Sequence, residues 1–359
     1  MGQPVADGKA EEAVLQNMYG FLKPLVPTRV FRTYWRFAAE RQQIFFRRLE
    51  DATGPWTGDP ILQEFKFTNV YRASDRTSQY LIRRVIYGGA QEPQEVFFRT
   101  LLFKFFNRIE TWELLENAFG EISSKSYSFE GYNAELCAAM RHGRPIYSAA
   151  YIMPSGGGAY ARKHEMHLRL LEKMMSDEVP ARIGGVGSMK GAFGILKEYP
   201  TIGDFLAYQY VTDLNYGNVT NFTETEFVMA GPGARDGLRK CFSSLGGMSE
   251  AEAIAFVCEA QEECVRAEGL NFLNLWGRPM QFIDAQNVFC EVDKYARQAH
   301  PEFLGRTGRV RIKQRFQPSA KGLQPWYPPK WGLNERLSIC QGSPDGHHIK
   351  QCSHPSGSE

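Results

Sequence analysis

The chain lacks an apolar run of the roughly 18 residues that a membrane helix needs, so no segment is expected to cross a bilayer. Its opening residues, MGQPVADGKAEEAV, are polar and acidic, which excludes a secretory signal. Gly2 resembles a myristoylation start, but Ala6 stands where that signal wants Ser or Thr. Cysteine is sparse and scattered. The seven (Cys137, Cys241, Cys258, Cys264, Cys290, Cys340, Cys352) form no C-x-x-C pair and no regular ladder. That excludes a clustered iron–sulfur site and points to reduced thiols in an intracellular protein, nuclear in a eukaryote and cytoplasmic otherwise. Charge of one sign is also missing. A net +2 neither demands nor excludes a nucleic-acid partner, because local patches decide that. GGVGSMKGA (184–192) does not meet the G-x-x-x-x-G-K-[ST] spacing, so no ATP-binding P-loop is expected there. Strand signals are few, and no internal repeat is visible.

What is present is aromatic and helical. Phe, Trp and Tyr make up 13% of the residues, with 25 Phe and 16 Tyr, enough to fill a sizeable core. VFRTYWRFAAERQQIFFRRLE (30–50) has the apolar spacing of an amphipathic helix with an arginine-rich outer face. The breaker DATGPWTGDP ends it. Long helical blocks follow, and FIDAQNVFCEVDKYAR (282–297) carries Val288, Phe289, Val292 and Tyr295 at helical spacing. The expected fold class is mainly α, a multi-helix domain with a short β element near the C-terminus. That element is GRVRIKQRF (308–316), where Arg309, Arg311, Lys313 and Arg315 alternate with Val310, Ile312, Gln314 and Phe316. The expected organisation is a flexible arm over 1–28, one helical domain over 29–333 and a disordered tail over 334–359.

Four patterns could carry chemistry. In TETEFVMAGPGARDGLRKCF (223–242), two helical segments flank a turn in which Gly231 and Gly233 allow close backbone approach, and Arg235, Arg239 and Lys240 add positive charge. This is either a helix-hairpin-helix grip on a phosphate or an ordinary helix–helix turn. Asp284 falls at the mouth of a helix running from about Gln286, as a cap or as a carboxylate held at a cleft edge. NVYRASDRTSQY places Arg72, Asp75, Arg76 and Gln79 within two helical turns beside Tyr71 and Tyr80, as a buried ion pair or as a cleft lining. The basic 309–315 face is either a phosphate track or a solvated edge. Two bland readings stand beside these. His164 and His167 in KHEMH miss the H-E-x-x-H spacing by one residue, so no metal is expected. The aromatics of WYPPKW (326–331) are stacking surfaces or a clamp that seals a core.

TNVYRASDRTSQYLIRRVIYGG, FVMAGPGARDGLRKCF, NLWGRPMQFIDAQNVFCEVDKYAR and WYPPKWG together resemble the alpha-glutamyl/putrescinyl thymine pyrophosphorylase family. Its helical module also accompanies 5-hydroxymethyluracil DNA kinases. The similarity runs from about residue 30 to 333. It implies a DNA glycosylase-like helix-hairpin-helix fold acting on a flipped, modified pyrimidine, with substitution of an activated 5-methylene group. An N-glycosylase and a non-catalytic reader of modified DNA remain as alternatives. The turn holds no lysine for a Schiff base, which argues against a lyase. The resemblance implies Asp284 and Asp75 as catalytic carboxylates. Asn69, Arg72, Arg76, Gln79 and Asn287 would bind substrate, and Gly231, Gly233, Arg235, Arg239, Lys240, Arg309, Arg311, Lys313 and Arg315 would bind DNA. The implied partners are DNA carrying modified pyrimidines and a small amine co-substrate. No cofactor, metal or membrane is implied, and the oligomeric state is open.

Overall fold

The structure is a computed structural model that describes residues 4–155, 160–318 and 322–342. It is mainly helical, with one two-stranded antiparallel sheet in which Val26 pairs with Ser244 and Pro27 with Phe242. The chain divides into two compact units. One comprises Met1–Asp75, Val228–Pro325 and Gly332–Glu359, the other Arg76–Phe227 and Trp326–Trp331.

In the first unit, the helix Arg29–Glu50 starts where Thr28 accepts a hydrogen bond from the Val30 amide. Its buried stripe includes Val30, Phe31, Tyr34, Trp35, Ala38 and Phe45. It packs on the helix Phe282–Ala299, with Tyr34 and Phe289 ring centroids 4.4 Å apart. That second helix is buried on more than one face, because the helix Pro232–Cys241 lies against it as well. The two approach closely. A Cβ on Gly237 would sit 2.0 Å from the Phe289 carbonyl oxygen, and one on Gly233 would sit 2.3 Å from Cys290 Sγ. These glycines are helical, and their lack of a side chain is what lets the backbones meet.

In the second unit, Pro93–Phe106 is buried from Glu95 to Phe106 and forms the centre of the core. Such a helix is expected to be apolar all round. Its one buried lysine, Lys104, is neutralised by Asp213 at 3.2 Å. WYPPKW closes this unit as a clamp: Tyr327 is fully buried, its ring stacks on Trp331 at 6.1 Å, and Lys330 donates to the Gly217 and Thr220 carbonyls.

Several local expectations change. Residues 218–231 form no helix, so Gly231 is the N-cap of a single helix and the helix-hairpin-helix is not formed around it. GRVRIKQRF forms no strand among the described residues and makes one isolated bridge, Arg315 with Phe65, so the short β element lies at Val26–Pro27 and Phe242–Ser244 instead. Within the arm expected to be flexible, Pro4–Met18 is helical and Leu15, Tyr19 and Leu22 are buried. Leu333–Gly342 is helical, and the rest of the expected disordered tail, with Cys352, lies outside the described residues. The expected Gly-rich loop PSGGGAYA has its centre, 156–159, outside them too. The five cysteines whose side chains are described are unbridged.

Candidate functional site

The helix Phe282–Ala299 begins four residues earlier than the sequence spacing suggests, so Asp284 lies inside its first turn. It forms a capping box with Gln281, whose amide donates to Asp284 Oδ2 at 3.0 Å. The other oxygen reaches across the unit and accepts from the Arg72 amide at 2.8 Å. One helical turn on, Asn287 Nδ2 donates to the Asn69 carbonyl at 2.8 Å and to Thr68 Oγ1 at 3.1 Å. A further turn on, Glu291 Oε2 accepts from the Thr68 amide at 2.9 Å. Side chains at 284, 287 and 291 share one helical face, and together they hold the backbone of residues 68–72.

That pinned segment is irregular, not helical. Arg72–Ser74 is a single 3-10 turn, Asp75 is extended, and the helix starts only at Arg76. Arg72, Asp75 and Arg76 therefore do not lie on one continuous helix, as their i,i+3 and i,i+4 spacing suggests. Asp75 instead folds back so that Oδ1 accepts from the Asn69 amide at 2.7 Å, while Asn69 Nδ2 donates to the Ser74 carbonyl at 2.7 Å. Burial pushes the Asp75 carboxyl up to about 7, against the opposing pull of the Asn69 amide, Arg41 and Arg72; Glu291 adds to the rise. At neutral pH this acid is close to half protonated. The structure thus brings Asp284, Asp75, Asn69, Arg72 and Asn287 into one polar network.

Arg76 and Gln79 belong to the other unit. Arg76 is exposed, and Gln79 Oε1 accepts from the Trp326 amide at 2.7 Å. Lys240 is 1% exposed and paired with Asp293 at 2.9 Å, so it is no phosphate ligand. Gly231 and Gly233 serve helix start and helix packing, as described above. Arg235 and Arg239 are half-exposed and lie 3.9 Å and 3.8 Å from Glu250. Arg309, Arg311, Lys313 and Arg315 are all exposed, and Arg315 pairs with Glu64. Two members of the network escaped the sequence reading. Glu291 had a usable signal, seven residues after Asp284 on the same helical face. Thr68, which donates its backbone amide to Glu291 and accepts at Oγ1 from Asn287, stands outside any periodic pattern.

His164 and His167 are both buried and face different partners. His167 meets the Tyr147 hydroxyl at 2.8 Å, and burial pushes its imidazole down to about 4. His164 lies 2.8 Å from Asn133 Oδ1 and 3.4 Å from Cys137 Sγ. Ligand atoms of Cys137, His164 and Glu165 fall within 4.8 Å of one another. The Arg162 guanidinium donates to that same Cys137 sulfur, which opposes a cation there.

Residues 28–305 match the family model of the 5-hmdU DNA kinase helical domain. The chain belongs to this family. A 5-hmdU DNA kinase of Bacillus phage SP10 is 26% identical over 284 residues, covering 73% of this chain and 44% of that protein. The chain therefore matches less than half the length of this curated relative. No solved structure matches. The family match takes in the whole 68–75 and 284–291 network, whereas the basic 309–315 segment lies beyond it. Among the described residues, no helix is long and apolar enough to cross a membrane.

Proposed function

We propose that the chain modifies DNA bases, acting on a nucleotide derived from 5-hydroxymethyluracil. The observation that carries this reading is the network on the 282–299 helix, within a chain of the 5-hmdU DNA kinase helical-domain family. It joins residues 68–75 to the face of the helix that carries Asp284, Asn287 and Glu291, and contains a carboxyl poised near neutrality. The reaction is substitution at the activated 5-methylene carbon. An amine nitrogen bonds to that carbon, the bond from carbon to the pyrophosphate oxygen breaks, and pyrophosphate leaves with the bonding pair. The proton shed by the attacking amine passes to Asp75. A base with a pKa near the working pH both accepts and releases that proton readily. Asp284, whose oxygens each hold a backbone amide, acts as a positioning group that fixes the 68–75 segment. The exposed cations Arg309, Arg311 and Lys313 supply sequence-independent phosphate contacts.

The same occupation of Asp284 favours a second reading, a domain that recognises the modified base without altering it. One experiment separates them. Duplex carrying 5-hydroxymethyluracil, or its pyrophosphorylated form, is incubated with the protein with and without amines, digested to nucleosides and weighed by mass spectrometry. An amine adduct supports substitution, an abasic site supports an N-glycosylase, and unchanged DNA that still shifts on a gel supports the reader.

A further inference from the structure

The register between the helices Arg29–Glu50 and Phe282–Ala299 brings one more buried charge to the network. Along one face of the first helix, residues four apart meet partners that step backward along the chain. Arg29 pairs with Glu302 at 2.6 Å, Thr33 Oγ1 lies 2.7 Å from His300 Nε2, and the Phe37 ring lies 5.4 Å from Tyr295. The helices therefore run antiparallel, and the next positions on the same two faces are Arg41 and Glu291. Phe37 also lies 5.4 Å from Phe67, the residue before Thr68. The successive amides of Thr68 and Asn69 are held by Glu291 Oε2 and Asp75 Oδ1. Two carboxyls thus gather at adjacent peptide groups, with Arg41 on the helix beside them.

Arg41 is only 8% exposed, and its buried Nη1 meets no acceptor among the described residues. A buried cation is costly unless an opposite charge offsets its lost hydration. Glu291 is already neutralised by Lys294 at 2.6 Å, so the charge left for Arg41 to balance is Asp75. Burial pushes Arg41 down to about 10, so it remains a cation at neutral pH; of the charges around it, Asp75 weighs most, ahead of Arg48 and Glu291. Asp75 in turn is raised by burial and held by the Asn69 amide. Of its charged neighbours Arg41 weighs most, ahead of Glu291 on the 282–299 helix and Arg72 on its own segment.

We propose that Arg41 is a positioning residue for the proton transfer: its buried charge is the counter-ion that lets Asp75 stand as a carboxylate at neutral pH and so accept the proton of the attacking amine. Arg41 acts through space on Asp75 and not on the substrate. The proposal rests on Asp75 being the base, but its first test reads ionisation and needs no product.

Melting temperature is followed from pH 4 to pH 10 for the full chain with and without Asp75→Asn, in the wild-type and Arg41→Met backgrounds. The stabilising effect of Asp75→Asn grows with pH and levels off once the folded acid has ionised, near pH 7 in the wild-type background. Losing a neighbouring cation raises a carboxyl, so in Arg41→Met the levelling moves up by about one pH unit. Arg41→Lys keeps the charge and leaves it near the wild-type position. Arg41→Gln decides the matter if Arg41→Met does not fold. Levelling at the wild-type pH in folded Arg41→Met or Arg41→Gln would overturn the proposal, and so would an equal upward move in Arg41→Lys, which would trace the effect to packing and not to charge. Where an activity is found, the single-turnover rate of Arg41→Met falls about fivefold at pH 7 and returns to wild type by about pH 9. A moved levelling with an unmoved rate profile would overturn Asp75 as the base and with it the part of Arg41 in the reaction, whereas an unmoved levelling overturns Arg41 alone.

Discussion

Asp75 makes the sharpest test, because its raised pKa is also a statement about stability. The acid retains its proton in the native state up to about 7, whereas the unfolded carboxyl loses it near 3.8. Between those values the native state binds more protons than the unfolded one. Stability contributed by this group is therefore present below pH 4 and is lost as pH rises through 7. At 1.36 kcal/mol per pH unit the loss is at most roughly 4 kcal/mol, and relaxation of a partly buried group reduces it to about 2–4. Asparagine keeps an oxygen to accept from the Asn69 amide but never ionises. Wild type and Asp75→Asn should melt alike below about pH 4 and separate progressively between pH 4 and 7, with the variant more stable above pH 7 by on the order of 5–10 °C. Differential scanning fluorimetry across pH measures this without any knowledge of substrate. Parallel melting curves for the two proteins would refute the raised pKa and, with it, the case for Asp75 as a proton carrier. Where an activity is found, the variant should lose about 10²–10⁴ in single-turnover rate.

Three further outcomes follow from the geometry. Asp284→Asn should cost roughly 1–3 kcal/mol in urea unfolding at pH 7, because asparagine offers one oxygen where two amides, Arg72 and Gln281, each have one; a wild-type midpoint would mean these bonds are not formed. Gly237→Ala should destabilise by about 1–3 kcal/mol or more, since its Cβ would strike the Phe289 carbonyl at 2.0 Å, and an unchanged melting temperature would contradict the close helix packing. Replacing Arg309, Arg311 and Lys313 by Ala should weaken binding to any duplex and flatten the salt dependence by about 0.9 per lost phosphate contact; an unaltered slope would remove this segment from the DNA interface.

The sequence by itself determined that the chain is mainly helical, that a helix runs over 30–50, that another covers Gln286 to Arg297 though not its first turn, and which helical module it shares. Those are local properties, because apolar period, caps and breakers act within a few residues. It also put the two right stretches on the page, NVYRASD and FIDAQNV. It misjudged what AGPGARDG is for, because a glycine demanded by a turn and one demanded by a neighbouring helix look the same in one dimension. Gly233 and Gly237 are explained by Cys290 and Phe289, not by their sequence neighbours. Lys240 read as a surface cation until Asp293 closed over it. Above all, only the tertiary structure decided that Asp284 holds Arg72, 212 residues away in the chain. Such a contact rests on burial and on satisfying backbone amides in an irregular segment, and neither requirement leaves a periodic trace in sequence.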